Sequence, residues 1–243
     1  MKLIKFLHKW LSLLVALQLL IWLGSGMFFN LMDHNKASGN KYRIKEAKVE
    51  QVKHDRLLGL DELIKQQNRP VNSIKQITLL DQPYYLLNHY KGLYKHFYNE
   101  HSLMNAYTGE NIVIDEDMAG LIARSTYSGN SNISSTIKLS PPIDDFLKEK
   151  NSVWQVNFQD DLNTSVYIDT NSGRLVGHSN DDKRFADFFF MLHFMDYPFL
   201  GKGSVGGFNN GQIIFFALLT LLFSLTGFVW IIELLRKGRY RLS

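Results

Sequence analysis

Histidine is the residue type in this chain whose chemistry and placement point to a cofactor site. The sequence contains eight histidines and no cysteine. Disulfides, thiolate nucleophiles, iron–sulfur clusters and cysteine-bound zinc are therefore excluded, whereas neutral imidazole is available as an iron ligand. His8 precedes a long apolar run, His34 follows it, and His193 lies inside a later Phe-rich segment. Because ionisable groups at membrane-spanning segments are often functional, we predict these three as cofactor ligands. The competing interpretation is packing, with each imidazole an interfacial polar group.

No other group of residues has the spacing of a catalytic or metal site. The patterns G-x-S-x-G, H-E-x-x-H and the nucleotide-binding glycine motifs are absent, and these would mark hydrolases, metalloproteases and nucleotide sites. The adjacent carboxylates Asp160 and Asp161 lie in a polar stretch typical of a solvated turn rather than of acid–base catalysis. We therefore do not predict an enzyme that acts alone, and a hydrolase is the weakest alternative.

Two uncharged apolar runs lie near the ends of the chain, at residues 10–32 and 211–232. About 20 apolar residues in a helix cross the hydrocarbon core of a bilayer, so each run predicts a membrane-spanning helix. The first run could instead be a cleaved signal peptide, since Lys2, Lys5 and Lys9 form a suitable basic start. Its apolar part is longer than the 7–15 residues or so of a signal sequence, and we favour a retained anchor.

The placement of positive charge predicts the topology. Three lysines precede the first run, and four basic residues follow the second. Lys and Arg near span ends mark the cytoplasmic side, so both termini should be cytoplasmic and residues 33–210 should lie outside. The net charge of +4 comes from these tails, because without them and Glu233 the chain keeps 20 Lys and Arg against 22 Asp and Glu. We expect the chain to associate with a membrane, whose anionic lipids attract the basic tails. We expect no nucleic-acid partner.

The outer segment predicts an α+β fold made of two related halves, each a small antiparallel sheet with one helix against it. Helical patterns cover 58–67 and 117–124, and strand-like runs include 90–98 and 153–158. The turn at Thr108-Gly109-Glu110 corresponds to the turn at Ser172-Gly173-Arg174. The predicted organisation is an N-tail (1–9), a first span (10–32), a first half (33–124), a linker rich in Ser, Asn, Thr and Gly (125–140), a second half (141–180), an apolar interfacial helix (181–198), a hinge (199–210), a second span (211–235) and a C-tail (236–243).

Four segments together resemble a known family. They are HKWL at 8–11, VWQV at 153–156, VYIDTNSGR at 166–174 and MLHFMDY at 191–197. In these segments the chain resembles PepSY-domain proteins with PepSY-associated transmembrane helices, over nearly its whole length and most strongly from residue 150 onward. The helix-plus-strands pattern of each half is similar to the PepSY unit.

The resemblance implies a bacterial inner membrane with a periplasmic outer domain, and two kinds of function. Larger relatives with four spans resemble membrane reductases that handle ferric siderophores and carry haem between membrane histidines, some of them fused to flavin reductase modules. Other PepSY domains bind or restrain peptidases. His8 and His193 match the family pattern for histidines. This chain departs from the larger relatives in having two predicted spans instead of four. Two spans do not make the complete haem-carrying bundle of those relatives.

The first function hypothesis is an electron-transfer or accessory subunit for membrane redox or iron handling, with haem as its cofactor. His8 and His193 would lie at opposite membrane faces, separated by a hydrocarbon core of about 30 Å, so they cannot share one iron within a subunit. In a homodimer, His8 would pair with His8 of the second copy and His193 with His193. Alternatively, His34 and His193 could form one site at the outer face of a monomer. Met191 and Met195 are further axial candidates.

The second hypothesis is a non-enzymatic periplasmic interaction module that binds or regulates a partner. The partner would be a peptidase, a membrane reductase or another envelope protein. The edges of the predicted sheets could accept an added strand.

Overall fold

The computed structural model describes residues 2–44, 57–197 and 211–238. These residues form two compact units. One, the helical unit, combines Met1–Asp33 with Phe185–Ser243, and the other, the sheet unit, is His34–Arg184. The predicted hinge at 199–210 lies outside the described residues. Helices at the chain ends and antiparallel sheets between them confirm the mixed architecture expected from the sequence.

The helical unit is built on helices α1 (Lys2–Leu31) and α6 (Gly211–Arg236). On length and composition, both are long and apolar enough to cross a membrane. They pack antiparallel, since His8 of α1 lies beside Thr226 of α6 and Trp22 lies beside Phe216. The start of α1 and the end of α6 are therefore at the same end of the pair. Because α1 begins at Lys2, residues 2–9 of the predicted N-tail are helical.

Helix α5 (Asp181–His193) runs from the sheet unit into the helical unit. In the helical unit its aromatic side chains pack on the last turns of α1. The ring of Phe189 stacks on Phe28 with centroids 4.0 Å apart, and Phe190 stacks on Phe29 at 4.5 Å. The Phe-rich pattern that predicted an apolar helix over 181–198 thus serves helix–helix packing, and the helix ends at His193.

The sheet unit begins with the short helix α2 (His34–Ala37), and its first sheet follows helix α3 (Leu60–Lys65). The strands form an antiparallel meander in chain order. Leu63 of α3 is fully buried against one face of the sheet, beside Tyr85, Leu87 and Met104. The strands are β1 (Ser73–Leu79), β2 (Gln82–Lys91), β3 (Asn99–Asn105) and β4 (Asn111–Ile112).

The second sheet repeats this order after helix α4 (Glu116–Thr126). The side chain of Asp115 caps α4 by accepting a hydrogen bond from the backbone N of Met118 at 2.9 Å, as the sequence predicts. Helix α4 packs against β5, β6 and β7. The strands are β5 (Ile133–Leu139), β6 (Val153–Phe158), β7 (Ser165–Asp169) and β8 (Leu175–Ser179).

The two sheets share one hydrophobic core with α4. Tyr84 and Leu103 of the first sheet, Ala119 of α4, and Val156 and Ile168 of the second sheet belong to a single buried cluster. At roughly 25 cal/mol per Å² of buried apolar surface, such a common core binds the halves into one unit. The helix-plus-sheet halves predicted from the sequence are present, but they are joined by packing.

The turns that end β3 and β7 are equivalent, as predicted. The Asn105 Oδ1 accepts from the backbone N of Tyr107 at 2.8 Å, and Asp169 Oδ1 accepts from the N of Asn171 at 3.0 Å. Each turn closes with a glycine at positive φ, 75° at Gly109 and 66° at Gly173. A side chain at such a φ is unfavourable, which explains the two glycines.

Two sequence predictions are wrong. The linker over 125–140 contains strand β5, and α4 before it packs on the second sheet, so the second half starts at α4 and not at 141. Ser134 and Ser135 of this edge strand hydrogen-bond to Asn157 of β6, although a run rich in serine and threonine is also typical of a loop. Of the strand predicted over 90–98, Tyr90 and Lys91 are the end of β2, and residues 92–98 are a loop between β2 and β3 with exposed aromatic side chains.

Candidate functional site

His193 lies at the end of α5 and faces α1. Its Nδ1 is 2.9 Å from the Oγ of Ser25. The ring meets Phe29 edge-on with centroids 5.2 Å apart, and Trp22 is at 6.5 Å. The imidazole is half-buried in a largely aromatic wall.

The hydroxyl of Ser25 determines which nitrogen of His193 carries the proton. Ser25 Oγ donates to the backbone carbonyl of Ile21 at 2.7 Å. A hydroxyl has one proton, so with this proton engaged its oxygen acts as an acceptor toward the imidazole. His193 Nδ1 is then the protonated nitrogen, and Nε2 keeps its lone pair. Nε2 has no hydrogen-bond partner among the residues that the structure describes.

His8 has the same arrangement near the other end of the helix pair. Its Nδ1 is 3.1 Å from Thr226 Oγ1, and that hydroxyl donates to the carbonyl of Phe223 at 2.8 Å. The ring stacks on Phe223 with centroids 4.7 Å apart. Gly227 supplies the room, because a Cβ there would approach His8 Cε1 to 2.9 Å. His8 therefore also presents Nε2 with a free lone pair.

A tryptophan accompanies each of these histidines. The ring of Trp230 is 5.5 Å from His8, and Trp22 is the neighbour of His193 already described. In both tryptophans the indole Nε1 is buried and has no acceptor within the described part of the chain. Each site thus combines an imidazole lone pair with an unsatisfied hydrogen-bond donor and apolar walls.

This donor set suits iron coordination by imidazole. Histidines that ligate a metal almost always donate their other N–H to an oxygen acceptor, which fixes tautomer and ring orientation. His8 and His193 both place Nδ1 within hydrogen-bond distance of a hydroxyl oxygen. His8 and the Ser25 partner of His193 are 17 positions apart on α1, about 25 Å along the helix axis. The two histidines therefore lie too far apart along the helix pair to share one iron.

The other predicted ligands are placed differently. His34 is exposed in α2, in the sheet unit, and its backbone carbonyl accepts from Ser38 Oγ at 2.7 Å. Met195 is buried in a cluster with Val15 and Phe216, so its thioether is enclosed by packing. Met191 is half-buried on α5. Within the described ranges no group of three or more His, Asp and Glu could hold a metal ion by itself.

Sequence reasoning missed the hydroxyl partners Ser25 and Thr226. Ser25 is one of the few polar residues in the first apolar run, and its small side chain is typical of a helix–helix contact in a membrane. A stronger signal was available, because a hydroxyl inside an apolar run and a histidine inside another are both costly in lipid unless they pair. Which pairs form depends on the register of α1 against α5 and α6, and sequence spacing does not reveal this register.

Asp145 and Tyr127 are ionisable groups of the sheet unit that have structural partners. Burial would raise the pKa of Asp145, but hydrogen bonds from Arg184 and Tyr167 outweigh it and hold that pKa below its usual value. Burial and the hydrogen bond to Asp160 raise the pKa of Tyr127 to about 12. These groups cross-link strands and helices, and they offer no exposed acid–base pair.

No protein-family model, no curated protein and no solved structure matches this chain.

Proposed function

We propose that this chain is a two-span inner-membrane protein of the PepSY type that supports membrane redox or iron handling and binds haem through His8 and His193. The observation that carries the proposal is the repeated hydroxyl relay. In both sites a serine or threonine fixes the imidazole with Nδ1 protonated and Nε2 free.

The proposed membrane topology draws support from the antiparallel helix pair. Lys2, Lys5 and Lys9 lie on the first turns of α1, at the end where α6 finishes with Arg236 and Lys237. Lys5 Nζ lies 5.6 Å from the ring centroid of Trp230, a cation–aromatic contact suited to an interface. Positive charge from both helices thus gathers at one end, which favours a cytoplasmic location for both termini.

Haem, when bound, would supply one-electron chemistry at its iron. The chain's own residues would bind iron through the Nε2 atoms, orient the two imidazoles through Ser25 and Thr226, and exclude water with aromatic side chains. One subunit offers one histidine to each site. A homodimer would complete each site with the same histidine of a second copy, and a partner reductase could supply the second ligand instead. The pairing of His34 with His193 is a further proposal.

The test is an absorption spectrum of the protein purified in detergent, first oxidised and then reduced with dithionite. Sharp α and β bands on reduction would indicate low-spin haem with two axial ligands. His193→Ala and His8→Ala should each remove part of the signal, His34→Ala decides the alternative pairing, and His96→Ala in the sheet unit is the matched control. A protein that stays colourless after expression with excess haem would refute haem binding.

A second candidate function is the non-enzymatic interaction module. The observation that favours it is the position of β1 and β5 at the outer edges of their sheets, each with one strand neighbour. An edge strand exposes backbone groups that an extended segment of a partner can pair with. Proline at Gln76 or at Thr136 should then abolish complex formation while leaving any haem spectrum unchanged.

A further inference from the structure

The end of β2 and the loop that connects it to β3 expose a cluster of large apolar side chains. We call this segment, residues 90–98, the aromatic loop. Its apolar side chains are between 38% and 77% exposed, and they are Tyr90, Leu93, Tyr94, Phe97 and Tyr98. A clustered apolar patch on a loop is uncommon unless it is a binding surface, and tyrosine is among the residues that dominate binding energy.

Asn99, the first residue of β3, holds the aromatic loop in one shape. It is buried, and its Oδ1 accepts from the backbone N of Gly92 at 3.0 Å. Its Nδ2 donates to the carbonyl of Phe97 at 2.6 Å and to that of Lys95 at 3.3 Å. One buried amide thus satisfies several loop groups. A loop held in this way loses little conformational entropy on binding.

A second buried network supports the loop from the other half of the sheet unit. Asn151 accepts from the backbone N of Asn99 at 2.9 Å and donates to the carbonyl of Phe97 at 3.2 Å. Glu149 accepts from the backbone N of Asn151 at 3.2 Å, and Arg174 binds Glu149 at 2.6 Å. Glu149 is only 2% exposed. Buried polar groups that are mutually satisfied in this way hold a surface rigid.

The surface around the aromatic loop is cationic. Lys91 and Lys150 line an open depression of 740 Å³ beside the aromatic side chains, and Lys95 is exposed on the same loop. These three lysines form no salt bridge within the residues that the structure describes. The carboxylate lining the depression, Glu100, is paired with Arg69. The uncompensated charge is therefore positive.

The aromatic loop lies at one end of the sheet unit. It contacts residues 149–151, just before β6 begins at Val153. The segment through which the chain enters the unit contacts the other end, where Tyr42 binds Asp161 after β6 finishes. Six strand residues span about 20 Å. The loop is thus at the end of the unit opposite to this point of entry.

We infer that the aromatic loop is a docking surface for a partner polypeptide that presents acidic residues beside apolar side chains. Three lysines around an aromatic centre complement such a segment in charge and in polarity. A symmetric contact between the aromatic loops of two copies is disfavoured, because it would bring their lysines together. The inference does not depend on the histidines.

The test uses the full chain in nanodiscs of neutral lipid and a fluorescent peptide of alternating glutamate and leucine or phenylalanine. Two matched peptides carry lysine for each glutamate or serine for each apolar residue. Anisotropy should show the acidic apolar peptide binding at least about tenfold tighter than either. Leu93→Ser combined with Tyr94→Ser should remove this difference. Val113→Ser combined with Leu121→Ser changes exposed apolar residues elsewhere and is the matched control.

Two results would overturn the inference. One is equal binding of the three peptides, or binding that the Leu93→Ser and Tyr94→Ser substitutions leave unchanged while circular dichroism shows a folded protein. The other is capture of the nanodiscs by a supported bilayer rich in phosphatidylglycerol, lost with the same substitutions, without preference for the acidic peptide. That result would make the surface lipid-binding. Charge reversal at Lys91 and Lys95 to Glu should shift the preference to the lysine peptide.

Discussion

His178 is a buried histidine that the sheet unit keeps neutral, and acidification should therefore weaken the fold. Its ring is 2% exposed, and its Nε2 is 3.0 Å from Thr126 Oγ1. That hydroxyl donates to the carbonyl of Ala123 at 2.9 Å, so Nε2 is the protonated nitrogen. Nδ1 is buried without a partner in the described part of the chain. Burial, and next the positive charge of Arg43, lower the pKa of His178 from 6.5 to about 4.

The sign and size of the effect follow from these two pKa values. Between them the unfolded chain binds a proton that the folded chain does not, so stability falls as pH falls. The full stability is present above about pH 7, and the loss develops as the pH drops from 6.5 toward 4. One pKa unit corresponds to about 1.4 kcal/mol, and acidification from pH 7.5 to 4.5 should lower the free energy of unfolding by about 2.5 kcal/mol through this group.

The assay is urea unfolding in a non-ionic detergent at both pH values, followed by the fluorescence of Trp154. Its indole donates to the carbonyl of Ile114 at 2.8 Å within the shared core. The other three tryptophans are replaced by phenylalanine. His178→Gln keeps a donor for Thr126 but does not titrate, whereas Asp145 and other carboxylates weaken both proteins alike. Equal losses of unfolding free energy in the two proteins on acidification would refute the reasoning.

Four further predictions concern the His193 site, an ion pair and a turn. His193→Ala should remove the haem signal of its site without affecting membrane insertion. Ser25→Ala should weaken haem binding about 10–100-fold, because it removes the acceptor for Nδ1–H of His193. Both effects are measured by haem titration, and full retention of haem binding in either variant would contradict the assignment. Arg184→Ala removes the cationic partner of Asp145, which is 12% exposed and keeps only the hydrogen bond from the hydroxyl of Tyr167 among these side-chain contacts. It should lower the unfolding free energy by about 2 kcal/mol, with Asp145→Asn as the comparison in urea unfolding. Gly173→Ala forces a side chain into a φ of 66° and should destabilise by about 1–2 kcal/mol, whereas an unchanged urea midpoint would show that the turn relaxes freely.

Patterns that depend on local chemistry were predictable from the sequence. The two apolar runs gave the long helices α1 and α6, and alternation gave strands such as β6. The equivalence of the turns at Gly109 and Gly173 was also predictable, because a glycine at positive φ leaves a strong sequence signal.

What depends on tertiary contacts was not predictable in this way. Strand β5 has the composition of a loop, and it is a strand because β6 pairs with it. The aromatic loop has the spacing of a strand, but Asn151, more than 50 positions further along the chain, hydrogen-bonds to Phe97 and helps to hold residues 92–98 as a loop. The hydroxyl partners of the histidines follow from helix register. In each instance a long-range contact overrides local preference.

The equivalent turns allow the two halves to be aligned strand by strand, and the alignment shows one large difference between them. The connection between the first and second strands has 2 residues in the first half and 13 in the second, whereas the connections between the second and third strands have 7 and 6 residues. The long connection of the second half contacts the aromatic loop of the first, since the backbone N of Lys150 donates to the carbonyl of His96 at 3.0 Å. Removal of the second half would therefore leave the aromatic loop without this support as well as exposing the shared core.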